Sequence, residues 1–107
     1  MIEASCHCGA VHLQIETSPA QVTDCNCSIC RRMGTLWAYY RPQQVRIAGA
    51  TDIYMWDDKS IEFHRCKVCG LTTHWVNSDQ SRPLMGVNTR LMPAEIRAQA
   101  RLFRGME

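Results

Sequence analysis

Apolar and polar residues alternate along much of this chain with a period of two. That spacing puts successive side chains on opposite faces of a strand. Val11, Leu13 and Ile15 interleave with His12, Gln14 and Glu16, so residues 11–16 are predicted to form a half-buried strand. Ser18 and Pro19 supply the turn after it. Residues 22–24 read as a short strand and 36–40 as an aromatic one that Pro42 ends. Val45 and Ile47 suggest another, closed by Gly49. Residues 53–56 and 61–65 flank Asp57-Asp58-Lys59-Ser60, a hairpin loop by composition. Residues 72–76 and 84–88 complete the series of strands. Helical signals are confined to one turn at 29–33 and to 93–97, where Pro93 and Glu95 suit a first turn. The rest of the tail reads as helix or strand. Short strands with one or two short helices predict a small, mostly β fold, in a single domain spanning 1–107.

The cysteines change this picture most. The chain has seven in 107 residues, in three clusters: Cys6-His7-Cys8-Gly9, Cys25-Asn26-Cys27-Ser28-Ile29-Cys30, and Cys66-Lys67-Val68-Cys69-Gly70. Close pairs matched by distant pairs suit tetrahedral metal binding, whereas disulfide pairing would leave one cysteine over. If Cys6 and Cys8 lie in a strand, their sulfurs share a face, as do those of Cys25 and Cys27. A glycine follows both Cys8 and Cys69 and permits a left-handed turn there. The first and third clusters therefore read as two halves of one closed site of Cys6, Cys8, Cys66 and Cys69. The middle cluster, Cys25, Cys27 and Cys30, reads as a site with one position open. Two Zn2+ ions per chain are expected. A competing reading closes the middle site with a histidine, from His7, His12, His64 or His74.

Charge and composition narrow the partners. The formal charge is +2 with neutral thiols; seven thiolates subtract seven and two Zn2+ ions add four, leaving −1. Such a chain has no broad field for nucleic acid or an anionic membrane. No apolar run reaches the length of a membrane span. Met1 to Ser5 has no basic or apolar leader pattern, so a reducing cytoplasm is expected, where thiols stay available to metal. In a domain of this size a structural zinc matters: its apparent binding free energy of about 10–16 kcal/mol rivals the total stability of such a fold.

The clusters, in this order, resemble the glutathione-dependent formaldehyde-activating enzyme family, whose relatives include the domain of centromere protein V. The residues that carry the resemblance are Cys6-His7-Cys8-Gly9-Ala10-Val11, Cys25-Asn26-Cys27-Ser28-Ile29-Cys30-Arg31-Arg32 and Cys66-Lys67-Val68-Cys69-Gly70, with Gly86-Val87-Asn88-Thr89-Arg90-Leu91 as a late segment. The resemblance implies a zinc-stapled, Mss4-like β fold. It also implies a structural zinc on Cys6, Cys8, Cys66 and Cys69 and a catalytic zinc on Cys25, Cys27 and Cys30. The implied activity is condensation of formaldehyde with glutathione to S-hydroxymethylglutathione, formally a carbon–sulfur lyase reaction in reverse. The chain is short and lacks obvious extra segments for a dedicated glutathione pocket.

An open zinc position can deprotonate a substrate thiol or polarise an aldehyde carbonyl. Arg31 and Arg32, next to the middle cluster, are candidate contacts for substrate carboxylates; as solvated surface residues they would do nothing. Asn26 and Ser28 are candidates to tune the sulfurs. Trp37, Tyr39 and Tyr40 read as core or as a pocket wall, and Met33, Met55, Met85 and Met92 as packing. The leading expectation is a zinc enzyme acting on thiol–aldehyde adducts. The alternatives are a non-catalytic zinc-binding module and a thiol-based redox or metal sensor.

Overall fold

A computed structural model describes residues 1–56, 59–79 and 81–105 of the chain. Three strands, β1 (Ile2–Ser5), β2 (His12–Ile15) and β5 (Val45–Ala48), form an antiparallel sheet in the order β1-β2-β5. The other seven are β3 (Gln21–Cys25), β4 (Trp37–Tyr40), β6 (Thr51–Tyr54), β7 (Ile61–Cys66), β8 (Thr72–Asn77), β9 (Met85–Asn88) and β10 (Arg101–Gly105). They form one sheet in the order β10-β3-β4-β9-β8-β7-β6. All its pairings are antiparallel except the parallel pairing of β10 with β3. Two short helices, α1 (Ser28–Met33) and α2 (Ala94–Ala98), complete the mostly β fold.

The period of two in β4 assigns the two faces of the large sheet. Ala38 and Tyr40 join Leu13, Ile15, Val45, Met85 and Val87 in the core between the sheets. Fully burying each large apolar side chain there contributes about 1.5–3 kcal/mol. Tyr40 keeps its hydroxyl satisfied by donating to the Thr17 carbonyl at 2.9 Å, and burial pushes its pKa up to about 12. Trp37 and Tyr39 point to the opposite face, where no second sheet covers them. There they gather with Phe63, Trp75, Cys25 and Cys30.

Helix α1 begins at Cys27 and stops at Gly34, whose positive φ of 70° closes the last turn through a hydrogen bond from its N–H to the Cys30 carbonyl at 3.0 Å. A distant segment braces this short helix. The Arg90 Nε donates to the Gly34 carbonyl at 2.7 Å, and the Thr89 hydroxyl donates to the Leu36 carbonyl at 2.8 Å. Asn88 accepts from the Leu36 and Arg90 amides and donates to the Thr72 carbonyl at 2.8 Å. The stretch from Asn88 to Arg90 thus fixes the loop that leaves α1.

Several elements differ from the sequence expectation. The strand predicted at 53–56 lies at Thr51–Tyr54. Beyond it, the Lys59 N–H donates to the Trp56 carbonyl at 3.0 Å, and Lys59 has φ 57°. Asp57 and Asp58 of the predicted hairpin loop lie outside the described residues. Strand β1 gives little signal, and β10 exposes Leu102 and Phe103, so neither shows a clear buried face. The Cys6 to Gly9 segment is a turn, closed by the Gly9 N–H to the Cys6 carbonyl at 3.2 Å. Its two sulfurs converge through that turn and not through the pleat of a strand.

Candidate metal centres

The seven sulfurs fall into two groups, Cys6 with Cys8, Cys66 and Cys69, and Cys25 with Cys27 and Cys30; within each, all sulfurs lie within 4.8 Å of one another. Among the described residues no histidine or carboxylate joins either group. His12 pairs with Glu3 at 3.1 Å, His7 is exposed, and His64 and His74 stack on each other with ring centroids 4.4 Å apart.

The quartet is made by two turns that face each other. Gly9 and Gly70 take φ values of 82° and 78°, which an L side chain would resist. They turn the chain so that amides point at the sulfurs. Val11 N–H donates to Cys6 at 3.3 Å, Ala10 N–H to Cys8 at 3.4 Å, and Val68 N–H to Cys66 at 3.3 Å. Such donors favour the thiolate. The Cys66 thiol is held below its ordinary range by the amides of Cys69 and Val68, and the Cys69 thiol is lowered to about 6, chiefly by the Leu71 amide. At Cys8 the Ala10 amide also lowers the thiol, but burial and the three neighbouring sulfurs outweigh it and raise it to about 11. Four sulfurs this close do not all ionise unless a cation lies among them. The Cys6–Cys8 and Cys8–Cys66 sulfurs are each 3.6 Å apart. Zinc–sulfur bonds of about 2.3 Å in a tetrahedron require sulfur–sulfur edges of about 3.8 Å. The quartet fits a zinc ion in spacing and in donor chemistry.

The trio is supplied by the end of β3 and the start of α1. Cys25 is the last residue of β3, Cys27 caps α1 and Cys30 sits in its first turn. Burial pushes the Cys27 thiol up, but amide hydrogen bonds from Cys30 and Ile29 and the neighbouring sulfurs bring the net shift down. Burial raises the Cys30 thiol strongly, against the Trp37 indole N–H, which donates to its sulfur at 3.3 Å. The trio also fits a metal ion: three soft donors, preoriented by amides and an indole, at ligand spacing.

A cavity of about 720 Å3 opens directly over the trio. Trp37, Tyr39, Trp56, Phe63 and Trp75 line it, as does the exposed Arg82. Of the aromatic candidates, Trp37 and Tyr39 face the cavity and Tyr40 the core. Arg31 and Arg32 are exposed on α1, do not line the cavity, and Arg32 donates to the Ser28 carbonyl at 2.7 Å. Asn26 and Ser28 are exposed beside Cys27. Trp56, Phe63, Trp75 and Arg82 are among the cavity residues that motif reading misses. The only signal for Phe63 and Trp75 is their cross-strand pairing in β7 and β8.

These features define a class: a small β protein with two cysteine clusters that could each hold a metal ion, one of four sulfurs, the other of three and lining a cavity. The model of the glutathione-dependent formaldehyde-activating enzyme family matches residues 1–105, and the chain belongs to that family. A crystal structure of a Rhodobacter sphaeroides protein superposes with a TM-score of 0.76 at 28% identity, over 95% of this chain and 100% of the other. A search of curated proteins found no significant match. No helix among the described residues is long and apolar enough to cross a membrane.

Proposed function

We propose that this chain is a zinc enzyme of the carbon–sulfur lyase type, which joins a thiol to formaldehyde or a related aldehyde and runs the reverse cleavage. Glutathione is the thiol that family membership suggests. The observation that carries the reading is the trio itself: three sulfurs, no fourth side-chain ligand among the described residues, and a cavity over them.

In the reaction a thiol sulfur forms a bond to the aldehyde carbon, the carbonyl π bond breaks, and the thiol proton ends on the new hydroxyl oxygen. Cys25, Cys27 and Cys30 would hold zinc, which would acidify a thiol and polarise a carbonyl. The chain's own residues do the rest. Amides at Cys27 and the Trp37 indole fix the sulfurs, so the site is oriented before substrate arrives. The aromatic walls exclude water, which otherwise hydrates the aldehyde. Arg31 and Arg32 remain proposed contacts to a substrate carboxylate, acting from outside the cavity. The quartet, Cys6, Cys8, Cys66 and Cys69, holds a second zinc that staples the two sheets. All seven cysteines are free, which supports a reducing compartment such as the cytoplasm.

The test is exchange NMR of zinc-loaded protein with formaldehyde and a panel of thiols that includes glutathione. Faster formation of the hydroxymethyl thioether with at least one thiol, abolished in Cys27→Ser, is expected. Rates equal to the uncatalysed reaction for every member of the panel remove the proposal.

A further inference from the structure

The lining of the cavity departs from what glutathione needs. All three tryptophans of the chain line it, together with Tyr39 and Phe63. Among the described lining residues, cysteines aside, Arg82 is the single charged side chain. Glutathione at neutral pH carries two carboxylates and an ammonium. Among the described lining residues an ammonium would meet no carboxylate, and a second carboxylate would meet no second cation. A charge desolvated without a partner is costly. The cavity volume of about 720 Å3 exceeds what formaldehyde needs and lies within the range that takes a ring-sized molecule, about 300–1,000 Å3.

Arg82 is placed to read one anion. It is exposed, and it forms no ion pair with a described carboxylate. Asp79 lies near enough to feel its charge, but the Asp79 carboxylate is engaged by Ser81, whose hydroxyl and amide donate to it at 2.7 and 3.1 Å. Among its described residues the lining therefore combines three sulfurs, five aromatic rings and one guanidinium.

Resting on the lyase reading of the trio, we infer that the thiol accepted here is an aromatic or similarly apolar thiol carrying a single carboxylate, in preference to glutathione. The sulfur reaches the trio, the ring stacks among Trp37, Trp75 and Phe63, and the carboxylate meets Arg82.

Three probes separate the parts of this inference: 4-(mercaptomethyl)benzoate, benzyl mercaptan and glutathione. Each is titrated by calorimetry into full-length zinc-loaded protein, and into protein with cobalt at the trio, whose sulfur-to-metal absorption reports thiol arrival. The aromatic acid should bind about ten-fold or more tightly than glutathione. Benzyl mercaptan should bind more weakly than the aromatic acid, and Arg82→Gln should erase the difference between the two while two metal equivalents remain. Glutathione binding as tightly as the aromatic acid, or an Arg82→Gln protein that keeps the difference, overturns the inference and leaves the lyase reading intact. An unchanged cobalt spectrum with all three thiols sinks the lyase reading itself, and this inference with it.

Discussion

Gly86 offers the sharpest mechanical test of how the cavity is built. It sits in the middle of β9, opposite Tyr39 on one side and Trp75 on the other. A Cβ added there would lie 2.6 Å from Cδ1 and Cε2 of Trp75, and closer still to Nε1. Ordinary contact begins at 3.4 Å, so the new methyl intrudes by at least about 0.8 Å. The indole occupies the space that a side chain at Gly86 would fill, and Tyr39 flanks it with ring centroids 6.1 Å apart. Overpacking of this kind costs about 1–3 kcal/mol. Gly86→Ala also restricts the unfolded chain, which returns about 0.4–1 kcal/mol. The clash wins, and a net loss of about 1–2 kcal/mol is expected. The assay is urea unfolding at fixed excess zinc, followed by circular dichroism, because free metal shifts apparent stability. Trp75→Ala removes the ring atoms that collide. The double variant Gly86→Ala/Trp75→Ala should therefore be more stable than additivity predicts, by about 1 kcal/mol. Additivity within about 0.3 kcal/mol, or a Gly86→Ala protein as stable as the parent, would show that the indole does not lie on the glycine.

The remaining expectations are read in simpler assays. Cys27→Ser should lose about one of two metal equivalents by elemental analysis and keep its far-ultraviolet spectrum. Cys66→Ser should lose its cooperative unfolding transition, since the quartet's apparent metal free energy of about 10–16 kcal/mol matches or exceeds the whole stability of a small domain; a folded Cys66→Ser protein without zinc contradicts this. Asn88→Ala leaves the Leu36 amide and Thr72 carbonyl without their side-chain partner, so a loss of about 1–3 kcal/mol in urea is expected, with weaker cobalt binding at the trio than at the quartet. His74 is lowered from 6.5 to about 3, first by burial and then by the charge of His64. A base that charges only when unfolded contributes full stability above about pH 6.5, and that contribution falls away as the pH drops towards about 3. Between about pH 7 and about pH 5 the parent should therefore lose about 2 kcal/mol more than His74→Gln; equal slopes would refute the assignment.

The strands of the core were legible because one sheet face is buried and the other is not. The alternation at Val11, Leu13 and Ile15 reports the inner face of β2 directly, and all three are fully buried. The division of the sulfurs into four and three was legible for a different reason: turns that aim two sulfurs at one point need close spacing and a glycine, and both are local. The cavity was not legible. Its walls come from β4, β7, β8 and the segments after β6 and β8, so no window of sequence contains it. Arg82 follows β8 in a stretch with no periodic signal, while Arg31 and Arg32 stand next to the trio in sequence and do not line the cavity. Proximity along the chain is a poor guide to a pocket made by sheet register.

The same register explains why the open centre lies where it does. In β4, Ala38 and Tyr40 face the small sheet, and Trp37 and Tyr39 face the trio. The small sheet covers one side only; on the other side Trp37, Phe63 and Trp75 are buried against one another and against Cys25, Cys30 and Ile29. Here Trp37 binds Cys30 through its indole N–H, Trp75 lies over Gly86, and the rings stand around the trio as walls. The aromatic face and the incomplete sulfur shell are thus two halves of one device. On the proposed reading, a guest that carries both a soft sulfur and an apolar body meets both at once.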